Sequence, residues 1–421
     1  MPRWLYFLLV FAVLAPILEL VHAPPLVIFS VAALGIVPLA ALIGASVEGI
    51  AEHTGEHIGG LLFATFGNAT ELIIGILALS QGLVDVLRAS IIGTILGNTL
   101  LVLGVSVCIG GFKNGRLKFE ARPASQYASL LALCVASLVL PTIAELLATR
   151  GQQAQIVERG VVLSDVVAIL LLVSYIAFIL FSVFHVGDEG EEEAEDEGEG
   201  QFAPVLGAYS VAAITRLVAY RRELAKSSIA HKSGMLRQID GTLGAIVAQE
   251  ADKQAAFTTA AKPEPVVHKP PLWRSILFLS IATIGVAILS EILVGAIEPV
   301  TAALGWNPAF VGLVFLPLIG GLPEYFNTIS MSLDKRMGMV LAASAGSSIQ
   351  IALLVAPILV LLSIFMQKRL DLVFNIVELA VLGLATFLFS EITKDGELVW
   401  LEGLLLILLY AMMAGTVFLF G

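Results

Sequence analysis

Two glutamates, Glu71 and Glu324, stand inside apolar runs long enough to cross a bilayer. A charged side chain at the centre of such a span costs about 2.5–3.5 kcal/mol on insertion scales, so it needs a partner or a task. Each is preceded by residues where a helix can break: Gly67-Asn68 before Glu71, and Gly320, Gly321 and Pro323 before Glu324. A broken helix frees backbone carbonyls, and such backbone is tolerated at membrane depth only where it is buried in protein or lines a wet cavity. Further along, GTILGNTLLVLG (93–104) and AGSSIQIALLVAP (345–357) carry Asn98 opposite Gln350, with a one-residue slip. Two carboxylates, two side-chain amides and free carbonyls compose an all-oxygen site, the donor set that hard cations such as Ca2+ take. Neither thiolate nor imidazole falls within this group, which argues against zinc and copper.

Each feature alone has a plainer reading. A glycine in a membrane helix is usually a packing contact, and a lone Asn or Gln is interhelical glue. Glu19 and Glu391 lie near helix ends, where a long side chain can reach the interface. The joint occurrence is harder to dismiss, because GGLLFATFGNATELIIGILAL (59–79) laid on GLVFLPLIGGLPEYFNTISMS (312–332) puts Gly67 on Gly320 and Glu71 on Glu324. Glu48 and Glu291, near the ends of another pair of spans, are candidates for a pathway vestibule. Glu145, Asp165, Glu378 and Glu402 read as structural partners. His53 and His57, at i and i+4 in EHTGEH, fall in an expected loop without the HExxH order and read as a surface coincidence.

The elements that position these residues follow from composition. The chain of 421 residues is 58% hydrophobic and only 14% charged, against about a quarter charged in ordinary soluble domains. Its pattern predicts an all-α polytopic membrane protein with about eleven spans: 3–22, 26–50, 59–80, 88–112, 124–147, 160–186, 273–296, 306–331, 338–364, 370–391 and 398–420. The first is read as a retained helix, the alternative being a signal peptide ending at Val21-His22-Ala23. Short alternating segments of a β-barrel are absent. Lys and Arg near the helix ends favour a cytosolic N-terminus and an outside C-terminus. The matched segments lie five spans apart, and an odd shift reverses the direction of travel. The halves are therefore expected to be inverted five-helix repeats, as in secondary transporters that bind substrate between them. The division is 1–25 for the extra helix, 26–186 and 273–421 for the repeats, and 187–272 for a cytosolic linker.

Much of the net charge of −11 is local: nine acidic residues crowd into Asp188–Glu199. That block reads as a solvated tether, or alternatively as a loose collector of divalent cations. Residues 208–250 could form an amphipathic helix on an anionic membrane surface, and 262–271 are a stiff proline-rich lead into the next span. No basic patch with interleaved aromatics points to nucleic acid. The two cysteines, Cys108 and Cys134, have no metal-ligand spacing. An intramembrane enzyme would need a nucleophile–base pair, which is missing. A channel would need weak, symmetric sites.

These motifs resemble the cation/Ca2+ antiporters, and within them the Ca2+/H+ exchangers, through GGLL-ATFGNATELI, GTILGNTLLVLG, GSSIQIALLVAP and DGELVWLEG (395–403). The resemblance covers nearly the whole chain outside 187–272. It implies an eleven-helix fold of one extra helix plus two five-helix repeats, with Glu71 and Glu324 as Ca2+ and proton carriers. Asn98 and Gln350 would be flanking ligands, and Asn68, Ser347 and Ser348 would line the same site beside Gly67 and Gly320. No cofactor is implied; Ca2+ and H+ are the cargo, with Mn2+ a second candidate, in a plasma membrane or the membrane of an acidic compartment. One departure stands out: the family's second GNAAEH reads GGLPEY here, with Gly321 and Tyr325 in place of Asn and His. Leu-Pro-Glu instead resembles Na+/Ca2+ exchangers, which are the alternative reading.

Overall fold

The computed structural model describes residues 5–54, 56–148, 154–182, 236 and 271–420. The chain divides into a unit of Met1–His185 with Pro270–Gly421, and a second unit of Val186–Lys269. The acidic run, all but one residue of the expected surface helix of 208–250 and nearly all of the proline-rich lead lie outside the described residues.

The first unit is almost wholly helical. Its elements are α1 (Leu5–Leu20), α2 (Pro25–Thr54), α3 (Glu56–Phe66), α4 (Ala69–Ser80), α5 (Val84–Asn114), α6 (Ala121–Ala148) and α7 (Ala154–Ser182). The second stretch supplies α8 (Leu272–Gly295), α9 (Ile297–Leu304), α10 (Pro308–Leu333), α11 (Met337–Phe365), α12 (Ile376–Ile392) and α13 (Trp400–Phe420). Among the described residues, eight spans are long and apolar enough to cross a membrane, and α1 and α4 are shorter apolar helices. Helices suit such sequences because each satisfies its own backbone groups without water.

The expected single span 59–80 is two helices. α3 stops at Phe66 and α4 starts at Ala69, with Asn68 between them at φ −109° and ψ 25°. A Cβ on Gly67 would lie 2.6 Å from the Phe63 carbonyl oxygen, so only glycine lets the chain turn out of α3 there. The break expected in the second half does not occur. α10 runs without interruption from Leu316 to Leu333 through Gly320, Gly321 and Pro323. Pro323 forfeits one rung of the hydrogen-bond ladder, and the helix continues around it. Its irregularity lies earlier, in a π turn at Val311–Phe315.

Two further π turns match between the halves, at Gly97–Val102 in α5 and Ile351–Val355 in α11. Each accompanies one of the paired amides, Asn98 or Gln350. π turns inside α-helices concentrate at functional sites. The helices that carry them meet α10 and each other closely: a Cβ on Gly93 of α5 would strike the Leu313 carbonyl, and one on Gly312 of α10 would strike that of Val86.

Loops gather in two groups. In one, β1 (Leu117–Lys118) pairs antiparallel with β2 (Glu397–Leu398), Arg116 pairs with Glu397, and Asn114 donates to the carbonyl of Leu333 at 3.1 Å. In the other, Arg369 meets both oxygens of Asp165 at 2.6 Å, Arg88 meets Asp371 at 2.7 Å, and Lys368 donates to the Gly82 carbonyl at 3.0 Å. Here the span expected at 370–391 begins as helix only at Ile376. Residues 370–375 are irregular because other helices satisfy their backbone. Thr142 donates to the Leu372 carbonyl and accepts from the Phe374 N–H, and Ser164 accepts from the Leu372 N–H. Asn375 and Glu378 then start α12 as a capping box. Asp165, Glu378 and Glu402 are thus structural partners, the last accepting the Val399 N–H at 2.7 Å.

Candidate functional site

The break between α3 and α4 places Glu71 in the first turn of α4, where the helix N-terminus favours negative charge. Across from it runs the unbroken α10. Glu71 lies against the backbone of Gly320, since a Cβ there would stand 2.9 Å from Glu71 Oε1. Gly320 and Glu324 are one turn apart on α10, and the two carboxylates are close enough to interact electrostatically. Glu71 Oε2 is buried and has no hydrogen-bond partner among the described residues. A buried orphan oxygen of this kind is costly unless a proton or a cation meets it.

Neutral polar groups complete the surroundings. Ser347 on α11 lies 2.7 Å from Glu324 Oε1 and 3.1 Å from Asn68 Oδ1, and it accepts from Asn98 Nδ2 at 3.0 Å. A hydroxyl has a single proton to give, so Ser347 serves either Glu324 or Asn68 at one moment. Asn68 Nδ2 donates to Gln350 Oε1 at 2.6 Å. Asn68 precedes α4 yet does not cap it with its side chain; that side chain is spent on α11 instead. The Gln350 oxygen also lies near the break, 3.6 Å from where a Cβ on Gly67 would be.

Of the residues singled out in the sequence, the structure brings together Glu71, Glu324, Asn98, Gln350, Asn68, Ser347, Gly67 and Gly320. It does not bring in Ser348, whose hydroxyl returns to the Ser344 carbonyl of its own helix at 2.9 Å. Glu48 and Glu291 are exposed, unlike the buried polar core. His53 lies in the last turn of α2 rather than a loop, and its Nδ1 bonds the Gly49 carbonyl at 2.9 Å. Ser344 was not anticipated: its hydroxyl donates to the Asn98 carbonyl at 2.5 Å, within the π turn. Its position three residues before Ser347, on the same helical face, was the available signal.

Among the described residues no three His, Cys, Asp or Glu side chains gather. A cation here would meet two carboxylates and otherwise neutral oxygens, a donor set that fits a hard divalent ion.

Known proteins agree with this architecture. The sequence pattern of the sodium/calcium exchanger protein family matches residues 24–184 and 274–419. A Ca2+/H+ antiporter of Synechocystis is 32% identical over 92% of this chain and 89% of its own length. The Ca2+/H+ antiporter ChaA of Bacillus subtilis is 30% identical over 99% of both chains. The solved structure of native YfkE superposes with a TM-score of 0.71 at 27% identity, covering 99% of each chain. A crystal structure of the H+/Ca2+ exchanger CAX shares the fold, with a TM-score of 0.61 at 12% identity over 99% of this chain and 91% of its own. A half-buried pair of glutamates from the two halves, set among amides and a serine, thus sits in a chain that belongs to the sodium/calcium exchanger protein family, among its Ca2+/H+ exchangers.

Proposed function

We propose that this chain is a Ca2+/H+ antiporter that exports Ca2+ from the cytosol by alternating access, binding its cargo between Glu71 and Glu324. The observation that carries the reading is the orphaned, buried Oε2 of Glu71, on a carboxylate packed against Gly320 one turn from Glu324, whose own oxygen meets Ser347. Ca2+ neutralises both carboxylates when bound. When it leaves, two bare carboxylates in a poorly solvated site repel each other, and protons take its place. Each face then sees one Ca2+ or two H+, which is the coupling rule in chemical form. Two protons moving down one pH unit supply about 2.7 kcal/mol, enough for about a hundredfold Ca2+ gradient if exchange is electroneutral.

Asn98 and Gln350 would contribute neutral oxygens to the ion. Eleven passes in two inverted repeats, with a cytosolic N-terminus, is the arrangement we favour. The matched π turns in α5 and α11 and the two separate loop clusters support it.

Radioactive Ca2+ uptake into proteoliposomes under an imposed pH gradient tests the reading. Uptake that follows the pH gradient and ignores Na+ is expected. Uptake driven only by a Na+ gradient would favour the Na+/Ca2+ alternative that the Leu-Pro-Glu sequence suggests. Flux without counter-ion dependence would mean a channel.

A further inference from the structure

The two amides at this site are held differently. Asn98 donates its Nδ2 to Ser347, and its Oδ1 accepts no hydrogen bond from the described residues. That oxygen stands beside α10, 4.0 Å from where a Cβ on Gly321 would be. Gln350 is in the opposite condition. Its Oε1 is taken by Asn68 Nδ2 at 2.6 Å, in a bond joining residues 282 apart in the chain. Asn68 is itself oriented for this. Its own oxygen lies 3.1 Å from the Ser347 hydroxyl, which leaves its NH2 directed at Gln350.

An amide oxygen has two lone pairs, and the Asn68 N–H already takes one of those on Gln350 Oε1, which leaves that oxygen a narrower approach and less electron density to offer a cation. We infer that Asn68 is a positioning residue that withholds the Gln350 oxygen from the cation, whereas Asn98 presents its oxygen ready-made. Asn68 therefore acts as a competitor for a ligand atom and lowers Ca2+ affinity, which favours release in a transporter that must let go of its cargo. The inference rests on the reading of Gln350 as a cation ligand. It reverses the sign expected if Asn68 were simply another oxygen lining the site.

The sign is measurable by Ca2+ titration of purified protein, using Asn68→Ala, Asn68→Ser, Gln350→Ala and the double variant Asn68→Ala with Gln350→Ala. Because the Asn68 side chain does not cap α4, both replacements should fold. The two Asn68 variants, each too short to hold Gln350 in the same way, also serve as checks on one another. Loss of one side-chain hydrogen bond changes an equilibrium by roughly two- to tenfold. The expected result is Kd lowered by about that factor in Asn68→Ala and Asn68→Ser. Kd should rise in Gln350→Ala, and adding Asn68→Ala to Gln350→Ala should change nothing further. A raised or unchanged Kd in both Asn68 variants, with Gln350→Ala also weakened, would overturn the withholding role alone. An unchanged Kd in Gln350→Ala would remove the ligand reading beneath it, and the inference with it.

Discussion

Gly320 on α10 packs its backbone against the carboxylate of Glu71 on α4, leaving only 2.9 Å from the Cβ position to Oε1. Residues from opposite halves of the chain are thereby in van der Waals contact at the point where one half carries charge. The contact explains why a glycine is needed at this turn of an unbroken helix. Adding even one methyl group must displace the carboxylate, because that separation is under the normal contact distance of about 3.5 Å. Gly320→Ala is expected to cut pH-driven Ca2+ uptake by about tenfold, a displacement of the kind that costs a well-aligned site. Gly320→Val should abolish uptake with monodisperse protein still recovered. Wild-type uptake by Gly320→Val would show that Glu71 has room to spare.

Glu71→Gln and Glu324→Gln are each expected to abolish exchange while leaving folded protein, since one neutral amide cannot balance half of a divalent ion. On the proposed reading the two carboxylates act as a unit, so the double variant should be no worse than either single one. Appreciable uptake by either single variant would take that residue out of the site.

The pairing of Arg369 with Asp165 is a structural prediction away from the ion. Both side chains are only partly exposed, 34% and 24%, and the pair fixes the irregular segment that precedes α12. Replacing either with alanine should cost about 1.5–3 kcal/mol, the range for hydrogen bonds to charged groups. Thermal unfolding in detergent measures it. The double variant should lose little more than one single variant, because the second residue has nothing left to pair with. Full additivity would mean that the two do not support each other.

The nine carboxylates of Asp188–Glu199 carry too little apolar surface to fold alone. Deleting 188–199 should leave transport nearly unchanged if they act as a tether, since loop length changes closure entropy only slowly. A several-fold rise in the apparent KM for cytosolic Ca2+, vanishing at high salt as exposed charges are screened, would instead assign them to ion collection.

The sequence by itself determined the class of protein and marked the two glutamates as the candidate site. Apolar runs of spanning length leave few options in a bilayer, and a carboxylate within them at matched spacing in both halves has few innocent explanations. Asn98 and Gln350 were legible for the same reason, as paired amides following paired glutamates. What the tertiary structure alone decided was how those groups treat one another. The sequence offers a break before each glutamate, but only Gly67-Asn68 is used, because breaking a helix depends on what waits to satisfy the freed groups. No period or propensity announces the π turns beside Asn98 and Gln350. Likewise, Ser347 and Ser348 are adjacent and chemically identical, and a helix turns successive side chains about 100° apart. One therefore faces Glu324 and the other its own backbone, a choice made by the packing of α11 against α5 and α10.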